Sequence, residues 1–299
     1  MNKIAKAILK TLVYFDLLSR PLTLDELWHY LYRQEGSKLQ VLMALKKLLE
    51  KQMIGQQTSA ASGHIYYYLA GRANIVKEYF AKFRISRKRW QKVAWVVKIL
   101  KWAPFVKNIS VINSLSFNNS RESSDIDILL VTKKGRLWTA RAFTVLLLEI
   151  TSQNKNRWYQ AGKFCLGFAF DESRLNLSKI RLGKDIDFTY WLANLTPVYN
   201  KGIYQELIKR NSWIAQELPN WQPKETKSNN GKQTFPERLL SGEMGDRLEN
   251  WLAKVQQNRI WQDPKNKRQG ASVVADEAMM KLHPYDPRRQ GLVAGGVGV

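Results

Sequence analysis

Residues 109–131 read ISVINSLSFNNSRESSDIDILLV, and they carry the clearest indication of both fold and function in this chain. A β-branched strand ends at Asn113 and Ser114, a polar segment follows, and a second strand opens with Asp125 and Asp127. Side chains two residues apart share one face of a strand. We therefore expect both carboxylates to point the same way at the edge of a sheet.

Two carboxylates on one face form a site for Mg²⁺ or Mn²⁺, because these cations take oxygen ligands and share them with phosphates. Ser114, at the end of the preceding strand, can offer its hydroxyl and backbone N–H groups to a triphosphate. The pattern predicts a nucleotide site that depends on a divalent cation.

The same residues resemble the signature of the nucleotidyltransferase superfamily, the polymerase-β-like fold of minimal nucleotidyltransferases and aminoglycoside adenylyltransferases. That signature is Gly-Ser at a strand end and Asp-x-Asp in the next strand, and here Ser114 and Asp125 are eleven positions apart. The resemblance implies transfer of a nucleotidyl group from an NTP to a hydroxyl acceptor by in-line attack on the α-phosphorus. Asp125 and Asp127 would be catalytic metal ligands, and the nucleotide phosphates would contact Asn113, Ser114, Arg121 and Ser124. Arg121 lies in a loop, where an arginine is also often simply solvated.

The chain departs from the signature at two positions. Asn113 replaces the usual glycine; it tolerates a positive φ but adds a side chain beside the phosphate. The third carboxylate of active members belongs on a following strand, and Asp171, at the exit of strand Phe164–Phe170, is the candidate. Asp171 either completes a catalytic triad or serves as a turn residue. Cys165, in the same strand, is expected to be a packed core residue.

A second Asp-x-Asp occurs at Asp185 and Asp187. Gly183 precedes it and a segment of helical character follows, so we interpret it as the chemistry of a helix start rather than as part of the site.

Residues 1–72 are predicted to form a winged helix-turn-helix. Three helical segments (Ile4–Leu18, one capped by Thr23, and Leu39–Gln52) precede two short strands separated by a polar turn. The third helix has few side chains that read bases, Gln40 being one, so packing or protein contact remains an alternative to DNA binding.

Residues 73–104 are predicted to form a basic connector, a helix broken or kinked near Ile85 and Ser86. Residues 1–108 hold 20 Lys and Arg against 6 Asp and Glu. Such density attracts polyanions. A solvated basic helix is the alternative; the predicted nucleic-acid surface comprises Arg84, Arg87, Lys88, Arg89 and Lys92.

The remaining boundaries follow from composition. We predict a nucleotidyltransferase core over 105–200, a helix over 201–222, a linker over 223–235, and a helical extension with a flexible tail over 236–299. The whole chain, winged helix included, also resembles uncharacterised bacterial nucleotidyltransferase-domain proteins with an N-terminal helix-turn-helix. The segments Gly135–Trp138 and Leu282–Pro284 fit this resemblance.

Overall composition limits the class of protein. The chain has 299 residues, a formal net charge of +23, one cysteine and three histidines, which excludes an internal disulfide and leaves too few ligands for a structural zinc site. No apolar run reaches the roughly 20 residues needed to span a membrane, so we expect a cytoplasmic protein. The predicted fold is α+β: a winged helix, a mixed sheet flanked by helices, and a C-terminal helical extension. A nucleotidyltransferase is the favoured function, and a non-catalytic nucleic-acid-binding or regulatory protein with a degenerate fold is the alternative.

Overall fold

The computed structural model describes residues 1–60, 62–155, 160–183, 185–229 and 234–283. These residues form a mixed α+β structure with a two-stranded sheet near the N-terminus and a six-stranded mixed sheet. The predicted flexible tail and Pro284 lie outside the described residues.

The N-terminal part has the element order expected from the sequence, three helices followed by a hairpin. These elements are α1 (Lys3–Leu17), α2 (Leu24–His29), α3 (Lys38–Glu50), β1 (Ile54–Thr58) and β2 (Ile65–Leu69). The predicted cap of α2 is confirmed: the Thr23 hydroxyl accepts from the backbone N–H of Glu26, whose carboxylate accepts from the N–H of Thr23. Ser37 and Gln40 form the same reciprocal cap at α3.

Helix α4 (Ile75–Leu100) is continuous, so of the predicted break or kink near Ile85 and Ser86 the break is wrong. The Ser86 hydroxyl donates to the backbone carbonyl of Lys82 inside the helix and accepts from the backbone N–H of Ser120. A serine that bonds back to the preceding turn can remain in a helix. Ser86 therefore joins the helix to the next loop without breaking it.

The six-stranded sheet has the order β6-β3-β4-β5-β8-β7. Strands β4 and β5 are parallel, and the other neighbouring pairs are antiparallel. The strands are β3 (Val106–Val111), β4 (Ile126–Thr132), β5 (Phe164–Asp171), β6 (Thr196–Asn200), β7 (Ser272–Ala275) and β8 (Met279–His283). The hairpin β7–β8 corrects the prediction of a purely helical C-terminal extension, because it pairs with β5 and completes the sheet.

Helices cover both faces of the sheet. They are α5 (Asn113–Ser116), α6 (Leu137–Ile150), α7 (Ile186–Ala193), α8 (Ile203–Arg210), α9 (Trp213–Glu217), α10 (Phe235–Leu239) and α11 (Glu243–Gln262). In β4, Ile128 and Leu130 belong to the core shared with α6, whereas Leu129 and Val131 belong to the core shared with α7 and the N-terminal helices. The alternation of a strand buried on both sides thus sends Asp127 to the α7 face.

The N-terminal helices pack directly on α7. The rings of Tyr14 and Tyr190 stack with their centroids 4.5 Å apart, and the Tyr30 hydroxyl donates to Asn194 Oδ1 at 2.6 Å. Arg33 also pairs with Glu217 of α9, with Nε and Oε2 2.5 Å apart. Apolar stacking and directional polar contacts thus join these helices to the face of the sheet that carries Asp127.

The C-terminal helix α11 packs on α6. The buried carboxylate of Glu249 accepts from the backbone N–H groups of Trp138 and Thr139, both at 2.8 Å, and so caps the start of α6. Among the described residues, no helix is long and apolar enough to cross a membrane.

Candidate functional site

Asp125 and Asp127 lie together at the start of β4, as the alternation of side chains along a strand predicts. Asp125 directly precedes the strand and Asp127 is its second residue. β5 runs parallel to β4 with Cys165 opposite Asp127 in the register. One ligand atom from each of the three side chains lies within 4.8 Å of the other two. The site is therefore a convergent group of two carboxylates and one thiol.

Cys165 takes the place in which the sequence analysis expects a carboxylate. It is half-buried, and its thiol faces the aspartates, so the prediction that it is an ordinary core residue is wrong. Cys165 is the second residue of a strand parallel to β4. Placing it beside Asp127 requires the register of the two strands, which the sequence pattern alone does not supply.

Asp171 lies at the opposite end of β5, opposite Thr132, and the structure does not bring it to the pair. It is six positions from Cys165 along the strand, which is about 20 Å of extended chain. Its carboxylate accepts from the backbone N–H groups of Ser173 and Gly135, both at 2.9 Å. Of the two predicted roles, the turn residue is the one observed here. The β4–β5 register also shifts between Asp127 and Leu129, so alternation along β5 does not continue unbroken.

Lys155 belongs to the site although no sequence motif marks it. Its ammonium Nζ is 2.5 Å from Asp125 Oδ2 and 3.9 Å from Cys165 Sγ. The backbone holds it there, because its N–H donates to the carbonyl of Phe164 while the N–H of Phe164 donates to Gln153. The segment that contains Lys155 thus pairs with the outer edge of β5 and places a positive charge beside the two carboxylates and the thiol.

The electrostatics of the site favour a cation. Burial, and next the charge of Asp125, raise the pKa of Asp127 to about 6. Burial, and next Asp127, raise the pKa of the Cys165 thiol to about 12. Burial would lower the pKa of Lys155, but its hydrogen bond to Asp125 and the nearby anionic groups raise it. A divalent cation would reverse the first two shifts, since it stabilises the ionised carboxylates and the thiolate.

The turn after β3 brings Asn113 to the carboxylates. Asn113 has φ of 57°, the left-handed conformation that the sequence analysis considers tolerable for asparagine at a glycine position. Its Oδ1 accepts from Trp191 Nε1 at 2.9 Å, and its side chain hydrogen-bonds Asp127. Ser114 follows in α5 and is half-buried. The strand-end turn therefore adjoins the carboxylate pair.

Arg121 and Ser124 form the turn that leads into Asp125. The backbone N–H of Arg121 donates to Ser124 Oγ at 3.1 Å, and the backbone N–H of Ser124 donates to the carbonyl of Arg121, also at 3.1 Å. The Ser124 hydroxyl thus supports the turn, and the Arg121 side chain is exposed.

The five predicted nucleic-acid contacts of α4 divide between two faces. Arg84, Arg87 and Lys88 are exposed. Arg89 is 6% exposed and its Nη2 donates to the carbonyl of Glu122 at 2.8 Å, while Lys92 Nζ donates to the carbonyl of Gly162 at 2.6 Å. The prediction of a shared surface is therefore wrong for Arg89 and Lys92, which tether the two loops that border the site.

A pocket of about 330 Å³ lies beside Lys155 and Cys165. Helices α6 and α11 supply its other polar side chains, including Arg141, Glu149 and Arg259. The pocket therefore opens next to the metal-ligand candidates on the β5 side.

The second Asp-x-Asp is the start of a helix, as the sequence analysis interprets it. Asp185 caps α7, its Oδ1 accepting from the backbone N–H of Phe188 at 2.9 Å. Asp187 Oδ1 accepts from the Tyr14 hydroxyl at 3.0 Å.

No known protein family, curated protein or solved structure matches this chain. The case for a function therefore depends on the geometry of the site and on the sequence pattern that it contains.

Proposed function

We propose that the chain is a nucleotidyltransferase that uses Mg²⁺ or Mn²⁺ and transfers a nucleotidyl group from an NTP to a hydroxyl acceptor. The observation that carries this proposal is the pair Asp125 and Asp127 on one face of β4, beside the strand-end turn of Asn113 and Ser114. We propose accordingly that the central sheet is of the nucleotidyltransferase type and that residues 1–72 are a winged helix.

The donor set fits a divalent cation. Two carboxylates are oxygen ligands for Mg²⁺, and the thiol of Cys165 adds a ligand that Mn²⁺ accepts more readily than Mg²⁺ does. A cation held there supplies neutralisation of phosphate charge and activation of the acceptor hydroxyl.

The residues of this chain would bind and orient the two substrates. The Ser114 hydroxyl would donate to the triphosphate, and Asn113 would position Asp127 through their shared hydrogen bond. Lys155, whose ammonium contacts Asp125, would supply positive charge on the β5 side of the carboxylate pair. Arg89 and Lys92 would act as positioning residues, because they fix the loops on either side of the site.

A specific observation favours a second function, a non-catalytic nucleotide-binding or regulatory protein. Two adjacent carboxylates normally require a cation, since each raises the pKa of the other. Here the ammonium of Lys155 supplies a positive charge to Asp125, and Cys165 stands where a third carboxylate would be. A protein that no longer catalyses transfer could therefore retain the pair.

Label transfer distinguishes the two functions. The protein is incubated with each NTP, labelled at the α- or the γ-phosphate, with Mg²⁺ or Mn²⁺. Release of pyrophosphate together with incorporation of the α-label supports nucleotidyl transfer, and incorporation of the γ-label alone contradicts it. Nucleotide binding without pyrophosphate release supports the regulatory alternative.

Two variants test the strand-end turn by titration calorimetry. Ser114→Ala should weaken NTP binding about tenfold, the value of one charge-assisted hydrogen bond. Asn113→Gly should strengthen it, because glycine accepts the positive φ and lets the phosphate approach the backbone. Ser123→Ala, in an exposed position of the following loop, is the matched control. Unchanged affinity in both test variants would show that the turn does not bind phosphate.

We also propose that the exposed basic residues of α4 contact a nucleic acid and that the exposed apolar residues of α3 contact a protein. Leu39 and Met43 of α3 are 65% and 54% exposed, which is unusual for a helix that reads DNA. Replacing Arg84, Arg87 and Lys88 with Gln should flatten the salt dependence of nucleic-acid binding, because fewer counterions are released. An unchanged slope would assign the face to solvent.

A further inference from the structure

We infer that the pocket beside Lys155 and Cys165 binds the anionic group of a small acceptor molecule, a phosphate or carboxylate attached to an apolar body. The inference rests on the proposed function, of which it names the acceptor class. It is carried by the position of the pocket and by the charge and polarity of its lining.

The pocket adjoins the carboxylates at the outer edge of β5. It lies on the face of the sheet covered by α6 and α11, whereas Asp127 is on the α7 face. Lys155 and Cys165 contact the carboxylate pair and also line the pocket. A molecule in the pocket would therefore reach the pair past these two side chains, on the opposite side of β4 from the strand-end turn of Asn113.

The lining has an excess of uncompensated positive charge. Arg141 and Arg259 both line the pocket, and among the described residues neither forms an ion pair. Glu149 is the one carboxylate in the lining, and it accepts from Asn154.

Arg141 has an unpaired polar atom in the wall of the pocket. Its Nη1 donates to Gln256, while its Nε is buried and has no hydrogen-bond partner. Burial, and next the charge of Arg259, lower the pKa of Arg141 to about 10. A guanidinium with a buried, unpaired Nε and no counter-charge is unfavourable, and a bound anion would remove both the unpaired donor and the repulsion.

The rest of the lining is apolar. Val145, Phe164, Leu166 and Ile260 contribute to the walls, and the volume of about 330 Å³ suits a small molecule. An inorganic ion would leave these walls uncovered. The chemistry therefore indicates an organic anion with an apolar portion.

The test measures anion binding without nucleotide or divalent metal, so that its result is independent of nucleotidyl transfer. Titration calorimetry at low salt compares phenyl phosphate with inorganic phosphate, and benzoate with acetate. In the wild type the aromatic member of each pair should bind more tightly, and the better pair identifies the anionic group.

Arg141→Gln combined with Arg259→Gln should weaken binding of phenyl phosphate and benzoate about tenfold or more. Val145→Trp should also weaken it, by filling the pocket with the charges retained, and it covers the case in which the double variant does not fold. Lys6→Gln, which removes one exposed positive charge from α1, is the control and should bind as the wild type does.

Three results would overturn the inference: no binding to the wild type, unchanged affinity in the folded double variant or in Val145→Trp, or an equal loss in Lys6→Gln, which would indicate general electrostatic attraction. Anion binding in a protein that releases no pyrophosphate would leave the pocket established and the transferase proposal refuted.

Discussion

The same tripeptide, Asp-Ile-Asp, occurs twice in this chain and performs two different tasks. At Asp125–Asp127 it enters a strand, where a period of two residues places both carboxylates on one face. At Asp185–Asp187 it begins a helix, where side chains two positions apart are rotated by about 200° around the axis and so point in nearly opposite directions. The first pair therefore converges on shared partners, and the second pair serves a helix cap and a distant tyrosine.

The two tripeptides also differ in the groups around their carboxylates. Asp185 accepts from the backbone N–H groups of Leu182 and Phe188 at the start of α7. Asp127 is half-buried beside Asp125, and the ammonium of Lys155 lies within hydrogen-bond distance of Asp125. A carboxylate pair with one ammonium still holds an unmatched negative charge, which is the property expected of a cation site.

The largest effect is expected when the strand pair is neutralised. Asp125→Asn combined with Asp127→Asn should reduce metal-dependent NTP binding more than about 100-fold, since losing a ligand costs at least as much as losing a group that only orients one. The measurement is the rise in melting temperature on adding NTP with Mg²⁺ or Mn²⁺.

The matched control is Asp185→Asn combined with Asp187→Asn, which removes the same charge from the other tripeptide. It should retain the metal-dependent rise. An equal loss in both variants would show that the two tripeptides contribute alike to metal-dependent nucleotide binding.

The second prediction concerns pH. The pKa of Asp127 is raised from 3.8 to about 6, so the folded state retains its proton over a range in which the unfolded chain has released it. The free energy of unfolding should therefore fall as the pH rises through this range. Without divalent metal, Asp127→Asn should exceed the wild type in free energy of unfolding by about 1–3 kcal/mol near pH 7.5.

Urea unfolding in the presence of a chelator checks this prediction. Below about pH 3.8 the difference should vanish, because Asp127 is then protonated in both states. Parallel pH profiles for wild type and variant would mean that Asp127 does not carry the burial cost inferred from its surroundings.

The third prediction alters the ligand that distinguishes this site from a set of three carboxylates. Cys165→Asp should shift metal preference towards Mg²⁺, raising the affinity for Mg²⁺ relative to Mn²⁺ by about tenfold, because a hard oxygen replaces sulfur. Titration of Mn²⁺ by electron paramagnetic resonance, with Mg²⁺ as competitor, measures the ratio. Cys165→Ser retains the size of the side chain and serves as control; identical ratios in wild type and both variants would remove Cys165 from the ligand set.

The smallest effect is expected at the helix cap. Asp185→Ala should lower the free energy of unfolding by about 1 kcal/mol through loss of the N-cap of α7. Its NTP-dependent rise in melting temperature should match that of the wild type, as thermal unfolding with and without ligand will show. A change in nucleotide response would connect this tripeptide to the site after all.

Local patterns in the sequence predicted the local parts of the structure. The caps at Thr23 and Asp185, the two strands around Asn113 and Ser114, and the shared face of Asp125 and Asp127 all depend on residues within a few positions of one another. Propensity, capping and alternation act over this range. For the same reason the pair Asp125 and Asp127 could be identified from the sequence before the fold was known.

The rest of the site depends on pairings distant in sequence. Cys165 and Lys155 reach Asp125 through the parallel register of β4 and β5 and through the segment beside β5, and neither has a local signal. Asp171 keeps two alternative roles in the sequence because its position at a strand end does not indicate which end of the strand faces the site. Arg89 and Lys92 follow the same helical periodicity as their exposed neighbours, so that their burial depends on which side of α4 meets the loops.

The position of β8 in the sheet has a consequence for the order in which the chain can fold. β5 bonds on its outer side to β8, which lies more than 100 residues later in the sequence. During synthesis β5 must therefore wait with an unpaired apolar edge until residues 272–283 have emerged, and such edges invite association with other chains. Slow production, or a chaperone that covers the nascent edge, should raise the yield of native protein, and truncation before residue 272 should direct the product into aggregates.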